Sequence, residues 1–149
     1  MIYQGKAKYP VREAVLHTSA TPHSWAKGKT DEQIFAEIRR WHVEERGWRE
    51  IGYHFVSMPG GARYFGRGRS EIGAHVQGHN RGTIGICMVG PGTPVGQPED
   101  HYTEAQIEDV KRLLAWLAEQ GVERVTGHND HAARDCPGFR VRQEDWLPV

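Results

Sequence analysis

An almost unbroken apolar run, residues 83–89 (Thr-Ile-Gly-Ile-Cys-Met-Val), lies just past the middle of this 149-residue chain. A strand that is apolar at nearly every position, instead of at alternate ones, is typical of a sheet covered on both faces. Residues 14–16 form a second apolar run, which stops abruptly at His17 and the small polar residues after it. Such runs predict buried strands, and the second one is expected to end at a site on the carboxyl edge of the sheet.

Helical patterns alternate with these strands. Residues 30–33 and 103–106 each read as a capping box, and each is followed by apolar residues at helical spacing. Gly47 and Gly121 are expected to end the two helices. Residues 143–147 are expected to add a final helical turn. The alternation predicts an α/β fold, with a central mixed β-sheet of about five strands flanked by helices on both faces.

The chain has the length of one domain. Residues 1–12, which carry Lys6, Lys8 and Arg12, are expected to be a solvated N-terminal tail before a domain over residues 13–149. The tail has no apolar core like that of a secretory signal, and no later run approaches a membrane span. We therefore expect a protein without a signal peptide or membrane insertion, which stays in the cytoplasm until it is released. A monomer is the default expectation.

Charge excludes one class of partner. Lysine plus arginine and aspartate plus glutamate both number 19, so the formal net charge is zero. A nucleic-acid-binding protein would show a basic excess or stripe, so no DNA partner is expected.

Residues 126–138 contain the strongest chemical signal. His128 and Cys136 lie eight positions apart, with Gly127 before the first and a Pro-Gly turn after the second. Zinc accepts imidazole nitrogen and thiolate sulfur, and a catalytic zinc site has three protein ligands and an open fourth position. His17, at the end of its strand, is the best third donor. The prediction is one Zn²⁺ ion per chain, held by His17, His128 and Cys136.

The two cysteines could instead form a disulfide. Cys87, however, lies inside the apolar run and Cys136 lies in a polar loop of a chain without an export signal. A free buried thiol and a metal-binding thiolate are therefore the preferred interpretation.

Two other segments offer polar groups to a site. Residues 52–57 and 62–66 are predicted to form a hairpin around Pro59-Gly60-Gly61, and alternation along the strand lets only one of Tyr53 and His54 reach a given face. Residues 67–80 are rich in glycine, arginine and histidine. They form either an ordinary surface loop or a loop that holds a polar ligand.

Taken in order, these motifs resemble the zinc-dependent N-acetylmuramoyl-L-alanine amidases of the type-2 amidase and peptidoglycan-recognition-protein superfamily, in particular the small amidase-type lysozymes (endolysins) of T-seven-like phages. The resemblance spans nearly the whole chain. The residues that carry it are His17-Thr18-Ser19-Ala20-Thr21, Ile38-Arg39-Arg40-Trp41-His42, Gly47-Trp48, Gly52-Tyr53-His54-Phe55, Gly66-Arg67, Gly73-Ala74-His75, Asn80, residues 84–90, and His128 through Cys136-Pro137.

The resemblance implies hydrolysis of the amide bond between the lactyl group of N-acetylmuramic acid and L-alanine in peptidoglycan. It implies the same three zinc ligands and selects Tyr53 over His54 as the catalytic residue. The family places a lysine two residues before the ligand cysteine, where this chain has Arg134. His75, Asn80 and Arg67 are the residues expected to contact the muramyl-peptide substrate. Phage relatives also bind a phage RNA polymerase, which makes that enzyme a further candidate partner.

Three rival interpretations remain open at the level of sequence. A peptidoglycan receptor would bind the wall without cutting it, but such receptors commonly lack the ligand cysteine. A cysteine hydrolase would use Cys136 or Cys87 as the nucleophile and would need no metal. A cytoplasmic amidase that recycles wall fragments would share the chemistry and differ from a lytic phage enzyme only in its role.

Overall fold

A computed structural model describes residues 1–148 of the protein. None of the helices within that range is long and apolar enough to cross a lipid bilayer. The strands are β1 (Tyr3–Gln4), β2 (Tyr9–Pro10), β3 (Glu13–Thr18), β4 (Phe55–Ser57), β5 (Arg63–Phe65), β6 (Thr83–Met88) and β7 (Arg124–Gly127). The α-helices are α1 (His23–Ala26), α2 (Asp31–Arg40), α3 (Pro98–His101), α4 (Glu104–Glu119) and α5 (Gln143–Trp146).

A five-stranded mixed sheet forms the centre of the fold, in the order β5-β4-β6-β3-β7. Strands β4, β6, β3 and β7 are parallel, and β5 pairs antiparallel with β4. The predicted α/β fold with a mixed sheet is therefore confirmed. Because β3 and β7 are parallel neighbours, the residues that follow them lie at the same edge of the sheet.

Helices cover both faces of the sheet, as predicted. On one face, Leu113 and Leu117 of α4 pack with Leu16 of β3 in a large apolar cluster. On the other, Ile34 and Ile38 of α2 belong to a smaller cluster that includes Cys87. The Cys87 side chain is fully buried and both cysteines are free, which confirms the predicted buried thiol and excludes a disulfide between them.

Both predicted capping boxes are present, at the starts of α2 and α4. The first helix nevertheless differs from its prediction. Its α-helical part ends at Arg40, and one turn of π-helix (Trp41–Glu45) follows before Gly47, where φ is +73°. Single π-turns occur frequently at functional sites.

The smaller elements follow the sequence with shifted boundaries. The predicted hairpin is present as β4 and β5, but β4 begins only at Phe55. The short helix α3 begins at the end of the Pro/Gly-rich residues 90–98 and has no counterpart among the predicted helices. The last predicted turn is α5.

The expected solvated tail is wrong for residues 1–12, which fold onto the domain. Strands β1 and β2 pair antiparallel, and Ile2 and Val11 are buried in the large apolar cluster. The fully buried Gln4 side chain accepts a hydrogen bond from the Gly82 N–H (2.9 Å) and donates one to the Thr83 carbonyl (2.8 Å). The segment thus satisfies backbone groups at the start of β6, which a mobile tail could not do.

Candidate active site and metal centre

His17, His128 and Cys136 converge at the carboxyl edge of the sheet. His17 is near the end of β3, and His128 opens a 3-10 turn directly after β7. Their donor atoms all lie within 4.8 Å of one another, and the Cys136 Sγ is 3.8 Å from the His17 Nδ1. Gly127 permits this fold of the chain, since a Cβ there would lie 2.4 Å from the Asn129 Oδ1.

The electrostatics of this cluster suit a bound cation. Burial, together with His75 and His128, holds the pKa of His17 well below its ordinary value, so its imidazole is neutral. Burial also raises the pKa of Cys136 to about 11, although the Thr18 N–H, 3.2 Å from Sγ, and Arg134 act in the opposite direction. The thiol needs a positive partner to ionise, and the imidazoles beside it are neutral. Together they form a nitrogen–sulfur donor set, which fits a metal ion such as zinc.

A second layer of contacts orients His17. Its Nε2 lies 2.9 Å from the His75 Nδ1, and the His75 Nε2 lies 3.1 Å from the Thr83 Oγ1. If the His17 Nδ1 is left free for a metal, its Nε2–H donates to His75, which in turn donates to Thr83. The Thr83 hydroxyl then donates to the Asn80 carbonyl at 2.9 Å. Gly85 makes room for the His75 ring, because a Cβ there would lie 2.6 Å from it.

The three residues expected to contact substrate are placed differently from one another. Asn80 lines the cleft, but its Oδ1 accepts hydrogen bonds from the backbone N–H groups of His75 (2.8 Å) and Val76 (2.9 Å). His75 is 8% exposed, and both its ring nitrogens have partners within the protein. These contacts assign His75 to holding His17, a role that sequence inspection missed.

Arg67 lies away from the cleft, so the expectation that it contacts substrate is corrected. The residue is 9% exposed, and its guanidinium donates to the carbonyls of Ile51 (3.0 Å) and Ile72 (2.9 Å). A buried arginine that satisfies two backbone carbonyls stabilises the loop. It has little freedom left to bind a ligand.

Tyr53 and His54 point to different environments, as alternation requires. The Tyr53 ring lines the cleft with its centroid 5.2 Å from that of His17. His54 is buried, and burial lowers its pKa to about 4. Its Nδ1 accepts from the Gly85 N–H at 3.0 Å, and its Nε2 lies 2.8 Å from the Glu71 carbonyl. Of the two, only Tyr53 has access to the cluster of His17, His128 and Cys136.

These side chains stand around a cleft of about 760 Å³. Arg134 is exposed at its rim, in the loop between His128 and Cys136. Trp41, His42 and Trp48, from the π-turn and the loop after it, line the cleft as well. The His42 Nδ1 accepts a hydrogen bond from the Gly52 N–H at 2.9 Å. The aromatic pair was not predicted as part of the site.

Comparison with known proteins agrees with this geometry. A family model described as N-acetylmuramoyl-L-alanine amidase matches residues 7–139, which include His17, His128 and Cys136. The chain belongs to this amidase family. It is 36% identical over 129 residues to the endolysin of Klebsiella phage KP32, and 33% identical over 129 residues to that of Escherichia phage T7. Each alignment covers 86% of this chain and 81% of the relative.

Solved structures support the same fold. The N-acetylmuramoyl-L-alanine amidase LysC from Clostridium intestinale superposes with a TM-score of 0.72 at 24% identity, over 92% of this chain and 83% of that one. At this identity the likeness speaks for the fold alone. The amidase family and the endolysin relatives together confirm the resemblance predicted from the sequence motifs.

Proposed function

We propose that the protein is a zinc-dependent N-acetylmuramoyl-L-alanine amidase of the phage endolysin type. Its reaction is hydrolysis of the amide bond between the lactyl group of N-acetylmuramic acid and L-alanine in peptidoglycan. The observation that carries the proposal is the convergence of His17, His128 and Cys136 in an open cleft of a chain that belongs to this amidase family. Two imidazoles and one thiolate, with solvent access to a fourth position, match the donor set of a catalytic zinc ion.

Zinc bound by these three residues would polarise the scissile carbonyl and lower the pKa of water toward ~7. The protein supplies the other groups. Burial and the neighbouring thiols of Cys87 and Cys136 raise the pKa of Tyr53 well above its ordinary value, so its hydroxyl stays protonated and can donate a hydrogen bond. Arg134 brings a permanent positive charge to the rim, where it can stabilise negative charge developing on the carbonyl oxygen.

The departing amine of L-alanine must acquire a proton. Tyr53, acting through a water molecule, is the donor that we propose, because its ring lies beside His17 in the cleft. Arg134 cannot serve, since a guanidinium does not give up its proton at physiological pH. Asn80 and the aromatic side chains of Trp41 and Trp48 offer amide and apolar surface to the sugar and the peptide.

Replacing Tyr53 with phenylalanine is expected to lower kcat about 100-fold while the zinc content is retained. The phenyl ring preserves packing against His17 and removes only the hydroxyl. Tyr64→Phe is the matched control, because the Tyr64 hydroxyl bonds to Glu32 on the outer surface. Steady-state hydrolysis of a defined muramyl peptide, with zinc content measured in the same samples, checks this. Equal kcat in Tyr53→Phe and wild type would remove Tyr53 from the mechanism.

His75 is expected to govern zinc affinity through His17. Loss of a hydrogen-bond partner behind a metal-binding histidine typically weakens affinity 10- to 100-fold. His75→Gln should show this loss, because the glutamine amide reaches the position of the His75 Nε2, whereas His17 contacts the Nδ1. His75→Asn can place an oxygen near the Nδ1 position and should recover most of the affinity. Competition with a zinc chelator measures both, and wild-type affinity in the two variants would contradict the role given to His75.

Burial at the cysteines argues against the metal-free cysteine hydrolase. Cys87 is fully buried, and its pKa is raised well above the ordinary value, mainly by burial. Cys136 also has a raised pKa and faces a neutral His17, so the pair lacks the thiolate and imidazolium of an activated cysteine. The receptor alternative is disfavoured because all three metal-donor residues are present.

Analysis of the released products tests the proposed reaction directly. Digestion of purified peptidoglycan should yield free stem peptides that begin with L-alanine and glycan strands that carry an intact lactyl group. Mass spectrometry distinguishes these from the products of glycosidases and endopeptidases. New reducing ends, or peptides cut within the stem, would overturn the assignment. Like the phage endolysins it resembles, the protein would act once it gains access to the wall.

A further inference from the structure

A second cluster of metal-binding side chains lies outside the proposed catalytic centre. Glu13, His79 and His131 come from the start of β3, the loop before β6 and the segment after β7, and their ligand atoms all lie within 4.8 Å of one another. The His79 Nε2 is 3.1 Å from the Glu13 Oε1, and the His131 Nε2 is 3.0 Å from the Glu13 Oε2. Donors bound to one tetrahedral ion at zinc–ligand distances stand roughly 3.3 Å apart.

We propose that Glu13, His79 and His131 form a second binding site, which takes a divalent transition-metal ion such as zinc. Two imidazoles and a carboxylate are a donor set that suits zinc and its neighbours in the first transition row. The inference does not depend on the proposed amidase activity, because no residue is shared with the catalytic set.

The arrangement of the two histidines favours an ion over simple ion pairs. Their rings stack with centroids 4.2 Å apart and planes inclined by 26°, and both direct Nε2 at the same carboxylate. If each paired with Glu13 as an imidazolium, two positive rings would lie face to face. A metal ion binds both as neutral imidazoles and places the positive charge at the carboxylate instead.

The surroundings of the Glu13 carboxylate suit a metal ligand. Its residue is 4% exposed, and the Thr126 hydroxyl lies 2.6 Å from Oε2. Burial alone would raise its pKa, but hydrogen bonds from Thr126 and His79 outweigh burial and leave the pKa lowered, so the carboxylate is ionised at neutral pH. The side chains of His79 and His131 are 40% and 20% exposed, which leaves solvent access for a further ligand.

Arg124 acts against a cation at this position. Its Nε lies 3.6 Å from the Glu13 Oε1, and its side chain is 53% exposed. A surface guanidinium of this kind can turn into solvent, and its interaction energy is small. Its removal should therefore strengthen metal binding modestly, which gives a variant whose effect has the opposite sign to the loss of a ligand.

The second site would link the two loops that build the catalytic centre. His131 follows His128 by three residues and lines the cleft, while His79 lies in the loop that carries His75 and Asn80. Glu13 and His17 lie on the same face of β3, four residues and about 13 Å apart at the rise of a strand. An ion at Glu13 would hold both loops against β3, next to the cleft and separate from the catalytic metal.

Cobalt titration followed by absorption spectroscopy tests the proposal, because only the catalytic set contains sulfur. The first equivalent of Co²⁺ should give a thiolate-to-cobalt charge-transfer band. The second should add ligand-field absorption without any thiolate band. His79→Ala and His131→Ala should each weaken the second step at least about 100-fold, since the loss of a ligand exceeds the effect of losing a supporting contact, and should leave the thiolate band intact. Cys136→Ser should abolish the band and keep the sulfur-free step.

Arg124→Gln should tighten the second step about 2- to 5-fold. His23→Ala is the control for adventitious binding, because His23 is an exposed histidine outside both clusters. Saturation at one equivalent with only the thiolate band in wild type would overturn the proposal, as would a second step that survives both His79→Ala and His131→Ala. A wild type without the thiolate band but with the sulfur-free step would instead count against the catalytic zinc set alone.

Discussion

Replacing Cys136 with serine is expected to abolish amidase activity, with a loss of at least about 10³-fold. A catalytic metal contributes several kcal/mol of charge stabilisation in the transition state, and each 1.36 kcal/mol corresponds to about tenfold in rate. The hydroxyl of serine occupies almost the same space as the thiol, but it is a poor zinc ligand at neutral pH. Zinc content and activity should therefore fall together, while the fold persists.

The control for this variant is Cys87→Ala. Cys87 is fully buried between its strand neighbours Val56 and His17, and it is not one of the three proposed metal donors, so its replacement changes packing without removing a donor atom. Thermal unfolding and zinc content should be measured for both variants alongside hydrolysis. Full activity in a folded, zinc-free Cys136→Ser protein would contradict the assignment of Cys136 as a ligand.

Neutralising Arg134 is expected to lower kcat by about 10²- to 10³-fold, the usual effect of removing one group that stabilises an oxyanion. Arg134→Gln keeps a polar side chain of similar length and removes the charge. Arg134→Lys restores the residue that the resemblance implies for this position. If charge is what the position supplies, the lysine variant should stay within about tenfold of wild type.

The pair of variants separates two roles for position 134. Because arginine is always protonated, the wild-type enzyme cannot depend on proton transfer from this residue. Lysine can titrate, so a variant much faster than wild type would show that proton exchange here limits the natural enzyme. Steady-state rates as a function of pH distinguish the cases. Unchanged activity in Arg134→Gln would exclude any role for the charge.

Much of the fold follows from local patterns in the sequence. The apolar run at residues 83–89 predicts β6, and the capping boxes predict the starts of α2 and α4 because hydrogen bonds between neighbouring residues form them. The convergence of His17, His128 and Cys136 was predictable for a different reason. Parallel strands deliver their carboxyl ends to one edge of the sheet.

The features that the sequence did not predict depend on partners far along the chain. Gln4 is buried because it bonds to Gly82 and Thr83, so residues 1–12 fold onto the domain instead of forming a tail. Arg67 resembles a ligand-binding arginine until its carbonyl partners are known. The role of His75 depends on its contact with His17. The role proposed for Glu13 depends on the proximity of His79 and His131. No local pattern carries such contacts.

Release of new amino termini from purified peptidoglycan, measured before chelation, after chelation and after zinc is restored, tests the central claim most directly. An amidase whose zinc ion is bound by His17, His128 and Cys136 should generate amino-terminal L-alanine. It should lose that activity when the metal is removed and regain it when zinc is restored. Amino termini that continue to appear after complete removal of metal would contradict the account. So would wall binding without any new amino termini from the zinc-loaded protein.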